Sequence, residues 1–283
     1  AFDQRLAPAE NNFKLEISIL KNLSQPRRVK SMEQVLIENR GAWVKITLNR
    51  PEAKNALNTA ALARVAAALT AAAADPECRA ALICGAEGNF AAGADIGEIE
   101  HKTAAEGAVD PRKAHWATIR AFPKPLIAAV DGFALGGGFE LALMADMMVL
   151  GADAKLGLPE TNLGLIPGAG GGQRLLTLAG RARATRIVFA GEIIDAATAY
   201  DWGIAGWLAD GPALPEAEAL IARMCKRAPL ALQAAKFALV QGDEQALAMT
   251  AERAAFEALL DSADKAEGIR AFREKRKPEF RGA

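Results

Sequence analysis

From residue 34 onward the chain alternates between short apolar runs and longer runs with helical spacing. Residues 34–38 (QVLIE) and 43–48 (WVKITL) are strand-like and flank Asn39-Arg40-Gly41, a turn composition. Asn58 or Thr59 can cap an alanine-rich helix that runs to about residue 74, where Asp75-Pro76 ends it. Residues 80–84 (AALIC) read as a short buried strand, and residues 91–96 as a small-residue turn that opens a helix. The polar stretch 98–112 predicts an exposed helix and loop, followed by a helix over 113–121. Strands are expected at 125–130, 147–150 and 154–158, and helices at 139–145, 173–178, 182–190 and 196–201. From about residue 215 the pattern is helical: 216–227, 230–240, 244–262 and 266–274. Short strands alternating with helices, then an all-helical tail, give an α/β core over 32–214 and a helical region over 215–283. Residues 1–31 alternate only briefly (Phe13, Leu15, Ile17) and are expected to be a weakly attached extension of no assigned role.

The densest chemistry lies at Asp131-Gly-Phe-Ala-Leu-Gly-Gly-Gly-Phe-Glu-Leu141, between the strand pattern at 125–130 and the helix pattern after it. Three successive glycines remove every Cβ from one side of the backbone, so another molecule can approach the amides closely. The first amides of the following helix are unpaired donors at the positive end of its dipole, suited to an anionic oxygen. Glu140 falls in that first turn, beside those donors. The glycine spacing is not G-x-G-x-x-G, here or around Gly168, and no P-loop lysine follows.

Composition narrows the classes. The formal net charge is zero, which argues against general affinity for nucleic acid or acidic membranes. Cys78, Cys84 and Cys225 lack metal-ligand spacing and read as buried thiols of a reducing compartment. His101 and His115 are the only histidines, and no Gly-x-Ser-x-Gly or His-Glu-x-x-His accompanies them, so triad and zinc-hydrolase chemistry fit poorly. No apolar run reaches the eighteen or so residues that span a bilayer, and the start lacks the pattern of a secretory leader. The expectation is a cytoplasmic protein with no metal and no resident cofactor.

Five segments in order, LNRPEAKNALN, NFAAGADI, GFALGGGFELAL, GLPETNLGLIPGAGGGQRL and EGIRAFREKRKPEF, resemble the crotonase superfamily of enoyl-CoA hydratases and isomerases over roughly residues 33–281. The resemblance implies a crotonase-like spiral of ββα turns with a C-terminal helical trimerisation region, assembled as a trimer or a dimer of trimers. It implies that the backbone amides of Ala94 and Gly137 form an oxyanion hole for a thioester carbonyl, and that Glu140 and Glu160 are a pair of catalytic acids. Ala92, Asp95, Ile96, Gly97 and Gly168 would border the substrate, and Phe272 and Lys275 would reach the CoA adenine and phosphate. Taken alone, Asp95 reads better as a helix cap or structural partner and Glu160 as an exposed loop acid or helix cap, while Lys275 reads equally as part of a solvated basic run. Phe139 and Gly172 depart from many hydratases, and the Phe-Glu-Leu-Ala-Leu form resembles the carnitinyl-CoA dehydratase branch.

The chemistry suits those residue types. Adding water across a 2-enoyl thioester develops negative charge on the thioester oxygen, and two fixed amides stabilise it; losing one such donor costs about 3 kcal/mol. One carboxylate must take a proton from water and one carboxylic acid must deliver a proton to C2. Like charge and desolvation push two neighbouring carboxyls to different protonation states. The expected activity is hydration of a trans-2-enoyl-CoA to a 3-hydroxyacyl-CoA, with Glu140 activating water and Glu160 protonating C2. The alternatives are a Δ3,Δ2-enoyl-CoA isomerase, a carnitinyl-CoA dehydratase-like lyase and, more remotely, an RNA-binding relative.

Overall fold

Continuous apolar runs become parallel strands in this chain because both faces of the main sheet are covered. The structure, a computed structural model, describes residues 33–241 and 246–280. The extension over 1–31 and the first residues of the helix expected from 244 therefore lie outside the described residues. The strands are β1 (Val35–Asn39), β2 (Trp43–Leu48), β3 (Ala80–Gly85), β4 (Leu126–Val130), β5 (Phe133–Leu135), β6 (Met147–Leu150), β7 (Lys155–Gly157), β8 (Ile194–Asp195) and β9 (Trp207–Leu208). One sheet has the order β1-β2-β3-β4-β6-β9; β1 and β2 form an antiparallel hairpin and every later pair is parallel. A second sheet, β5-β7-β8, pairs β5 with β7 in parallel and β7 with β8 antiparallel.

Period-two alternation divides β3 and β4 between two cores. Ala81, Ile83, Leu126, Ala128 and Val130 face the helix Thr59–Ala74, whose Leu62, Val65 and Leu69 are buried, together with Trp116 and Ile119 of the helix Arg112–Arg120. Ala80, Leu82, Cys84, Ile127 and Ala129 face the helix Ala213–Met224 through Ala213, Ala217, Leu220 and Ile221. Each fully buried Leu or Ile side chain contributes roughly 1.5–3 kcal/mol relative to exposure. The Asn58 side chain accepts from the Ala61 amide and starts the first of these helices. Because Ala213–Met224 packs on the sheet, the helices that stand apart from it begin one element later than residue 215: Pro229–Gln241, Ala246–Leu259 and Ala263–Glu274.

The stretch expected to be an exposed helix and loop, 98–112, is partly interior. It forms the short helices Ile96–Ile99 and Ala104–Ala108, and its charges are buried where they are paired. The Asp110 carboxylate, with no side-chain exposure, accepts from Arg112 and Lys102 at 2.8 Å and 2.7 Å. Arg112 holds its carboxyl far below the usual range, with Lys102 assisting, against the opposing effect of burial. No helix among the described residues is long and apolar enough to cross a membrane.

Candidate active site

The glycine-rich turn joins the second sheet to a short buried helix. β5 ends at Leu135, and Gly136 adopts φ 48°, ψ −129°, a conformation that favours glycine and reverses the chain into the helix Gly137–Leu143. Gly138 is required by close approach: a Cβ there would lie 2.2 Å from the Ala91 carbonyl oxygen. That contact holds the helix start against residues 91–96. Single-residue bridges join Ala91 to Ala134 and Leu57 to Ala94.

These bridges decide which amides remain available. The Leu57 amide donates to Gly93 O at 2.8 Å and the Asp95 amide to Leu57 O at 2.9 Å, so Ala94, lying between them, spends its amide on neither bond. Gly137 opens its helix and has no partner four residues back. Among the described residues no acceptor meets either amide. The two backbones are neighbours: the Ala94 nitrogen is 3.6 Å from the point a Gly137 Cβ would occupy, and outside Gly137's own stretch of chain only Ala94 lies within 4 Å of that point. Two unspent donors thus border a space open to a carbonyl oxygen.

Glu140, one turn into the helix, is 4% exposed. Its Oε1 accepts from the amides of Ala169 (2.7 Å) and Gly171 (3.0 Å) in the second glycine-rich loop. A Cβ at Gly171 would come within 2.7 Å of Glu140 Cγ, so that glycine admits the carboxylate to its seat. Burial pushes the Glu140 carboxyl up, and the two amides and Arg174 only partly offset it. Glu160 approaches from the opposite wall, on the 3₁₀ turn Pro159–Leu163, with Oε1 3.2 Å from the point a Gly136 Cβ would occupy. The last helix fixes that turn by contact without side chains: a Cβ at Gly268 would meet the Leu163 backbone at 2.7 Å, and one at Gly164 the Lys265 amide at 2.5 Å.

One cavity gathers most of the residues singled out in the sequence. Ala92, Ala94, Ile96, Gly137, Glu140, Glu160, Gly168 and Phe272 line it. Asp95, Gly97 and Lys275 do not. Asp95 is occupied structurally: its Oδ2 pairs with Arg50 at 2.9 Å and its Oδ1 caps the helix Ile96–Ile99 at the Gly97 amide. Lys275 is the left-handed C-cap (φ 60°) of the helix Ala263–Glu274 and is exposed; Arg276, one residue on, lines the cavity instead. Asn162, Arg253 and Phe256, which the sequence did not single out, also line it, as does Trp116. Phe256 lies against Gly168, whose Cβ would come within 2.8 Å of the ring, so this apolar residue of the C-terminal helices closes the cavity rather than facing outward. Among the described residues no group of three or more His, Cys, Asp or Glu side chains is placed to hold a metal ion.

The enoyl-CoA hydratase/isomerase family model matches residues 38–283. Among named relatives, the 2,3-dehydroadipyl-CoA hydratase of Escherichia coli (strain K12) is 44% identical over 254 residues, covering 89% of this chain and 100% of that protein. A probable enoyl-CoA hydratase of Rhizobium meliloti (strain 1021) is 40% identical over 89% of this chain and 99% of its own length. Among solved structures, a carnitinyl-CoA hydratase from Mycobacterium avium superposes with a TM-score of 0.81 at 36% identity, covering 89% of this chain and 100% of that one. The spiral α/β architecture, the two acids in one cavity and these likenesses agree, and the chain belongs to the enoyl-CoA hydratase/isomerase family.

Proposed function

We propose that this protein is an enoyl-CoA hydratase, adding water reversibly across the trans-2 double bond of an enoyl-CoA thioester. The observation that carries the reading is that two carboxyl groups and two acceptor-free amides border one largely apolar cavity. The thioester oxygen sits between the Ala94 and Gly137 amides, which stabilise the enolate charge as it develops. Glu140 takes a proton from the water that attacks C3. Its amide bonds fall on Oε1, which leaves Oε2 as the oxygen to meet that water. Glu160 delivers the proton to C2, and the roles reverse in dehydration. Burial raises Glu140 and thereby makes it a stronger base than an ordinary glutamate once ionised. Phe272 and Arg276, at the more exposed end of the cavity, receive the CoA portion. CoA arrives with the substrate, and the reaction as drawn calls on no resident cofactor.

Moving a double bond from C3 to C2 needs only one acid, so the pair favours hydration over isomerisation. Loss of conjugated-enoyl absorbance on adding crotonyl-CoA supports hydration. Absorbance gained from a 3-enoyl-CoA, with crotonyl-CoA left untouched, overturns it in favour of isomerisation.

The same reading includes a trimer-based assembly in the cytoplasm. Leu260 of the C-terminal helices is buried within its own chain with Ile99, Leu165 and Phe256 and so offers no apolar face to a partner. The large apolar side chains that remain exposed include Phe189 on the helix Arg181–Phe189 and Leu230, Phe237 and Leu239 on the helix Pro229–Gln241. Light scattering at micromolar concentration tests this: a trimer or hexamer supports it, and a monomer sinks it. Cys78, Cys84 and Cys225 are buried and unbridged, consistent with a reducing compartment.

A further inference from the structure

The part of the cavity wall formed by Arg112 and Arg253 carries an unbalanced positive charge. Two ion clusters meet there, and in each a single carboxylate serves two cations. Asp110 is shared by Arg112 and Lys102. Glu257 is shared by Arg253 and Lys113, at 2.7 Å and 2.8 Å. Each cluster is therefore one positive charge in excess. Both arginines line the cavity beside Trp116 and Phe256.

Exposure distinguishes the three arginines that line the cavity. The side chain of Arg276 is 37% exposed, that of Arg253 17%, and that of Arg112 6%. Arg276 is the most solvent-exposed of the three, and Arg253 and Arg112 are the more enclosed. Their hydrogen bonds are incomplete. Arg112 uses Nε and Nη2 on Asp110, and Arg253 uses Nε on Glu257 and Nη2 on the Gly107 carbonyl, so neither Nη1 has an acceptor among the described residues. A guanidinium has five donors, and leaving donors unmet in a dry pocket is costly. A methyl-ended acyl chain would expel water from these donors and return nothing. A carboxylate would neutralise the excess charge and accept from both Nη1 groups, with the charge-assisted bonds that Arg forms best.

Resting on the hydratase reading, we infer that the acyl chain of the substrate ends in a carboxylate, which Arg112 and Arg253 receive. The substrate class is the mono-CoA thioester of a 2-ene dicarboxylic acid, and these two arginines are specificity-determining residues.

The test compares kcat/KM for two six-carbon trans-2-enoyl-CoAs, one ending in methyl and one in carboxylate. The inference expects the carboxylate-ended substrate to be favoured by at least about tenfold. Arg253→Met and Arg112→Met should each bring that ratio down towards one, and Arg253→Lys, which keeps the charge, should restore part of it. Circular dichroism checks that each variant is folded. The Arg253 variants carry the decision if Arg112→Met, which disturbs the buried Asp110, fails to fold. A wild-type enzyme that hydrates the methyl-ended chain equally well or better overturns the inference while leaving the hydratase reading intact. A carboxylate preference that survives Arg253→Met overturns the assignment to these arginines. Hydration of neither substrate removes the hydratase reading itself.

Discussion

Gly137→Ala separates function from packing at the centre of the site. Gly137 lies outside the positive-φ region, so alanine fits its backbone. The added Cβ would sit 3.6 Å from the Ala94 nitrogen and 3.8 Å from the Ala94 Cβ, both ordinary contacts. Replacing glycine with alanine where the backbone permits stabilises by about 0.4–1 kcal/mol, through the unfolded chain. The melting temperature should therefore hold or rise by about 1–3 °C. The methyl group, however, occupies the space between the two amides, where a thioester oxygen must come within about 2.7–3.1 Å of each nitrogen. Losing one donor costs about 2.7–4 kcal/mol, so kcat/KM for crotonyl-CoA should fall by about 10²–10³-fold. Gly138→Ala is the contrasting variant. Its Cβ would lie 2.2 Å from the Ala91 carbonyl, so backbone must move, at about 1–3 kcal/mol or more. Calorimetry and steady-state hydration on both proteins decide the matter. A Gly137→Ala enzyme within about threefold of wild type refutes the oxyanion assignment. A Gly137→Ala protein as unstable as Gly138→Ala would make Gly137 a packing glycine.

Glu140→Gln and Glu160→Gln should each lower kcat by at least about a hundredfold with circular dichroism unchanged, since each removes a proton-transfer partner. Because burial raises Glu140, kcat/KM should decline on the acid side with an apparent pKa above that of an ordinary glutamate, a value belonging to the acid pair; a flat profile down to pH 5 would contradict this. The same shift has a stability consequence of definite sign. The charged form is disfavoured on folding, so wild type loses stability as pH rises from 4.5, the unfolded value, through the raised folded value. Glu140→Gln avoids that loss and should melt higher than wild type at neutral pH, with the gap closing below about pH 4.5, as thermal scans across pH would show. Asp110→Asn should destabilise by about 3–5 kcal/mol, because Arg112 and Lys102 would lose their shared buried counter-charge; an unchanged denaturant midpoint would show the cluster to be dispensable.

Much of the scaffold was legible because local chemistry and fold agree. The run WVKITL became β2 with the bounds its alternation implied, and Asn58 caps the helix that its side chain announced. The missed strands are short: β5 has three residues between two glycine-bearing turns, and β8 and β9 have two each, so pairing across the fold creates them rather than propensity. The polar stretch 98–112 misled because charge predicts exposure only for unpaired groups, and Asp110 and Arg112 pair with each other. In the site, Glu140 and the amides of its helix start were legible from the glycine-rich turn, whereas Glu160 and the Ala94 amide were reachable only through the order of motifs. Glycine spacing alone showed an anion-binding turn. Arg276 was missed beside Lys275 because the left-handed cap at Lys275 redirects the chain, which a run of basic residues does not reveal. Arg253 and Phe256 read as one face of a helix, and only the packing of Phe256 on Gly168 turns them towards the cavity.

The central claim is that one cavity adds water to a conjugated thioester by proton transfer through two acids. Incubating the enzyme with crotonyl-CoA in deuterium oxide and reading the product by NMR tests it most directly. The expected product is 3-hydroxybutyryl-CoA carrying one solvent deuterium at C2, formed by wild type and strongly suppressed in Glu160→Gln. Crotonyl-CoA recovered unhydrated, or converted only to a 3-enoyl isomer, would contradict it.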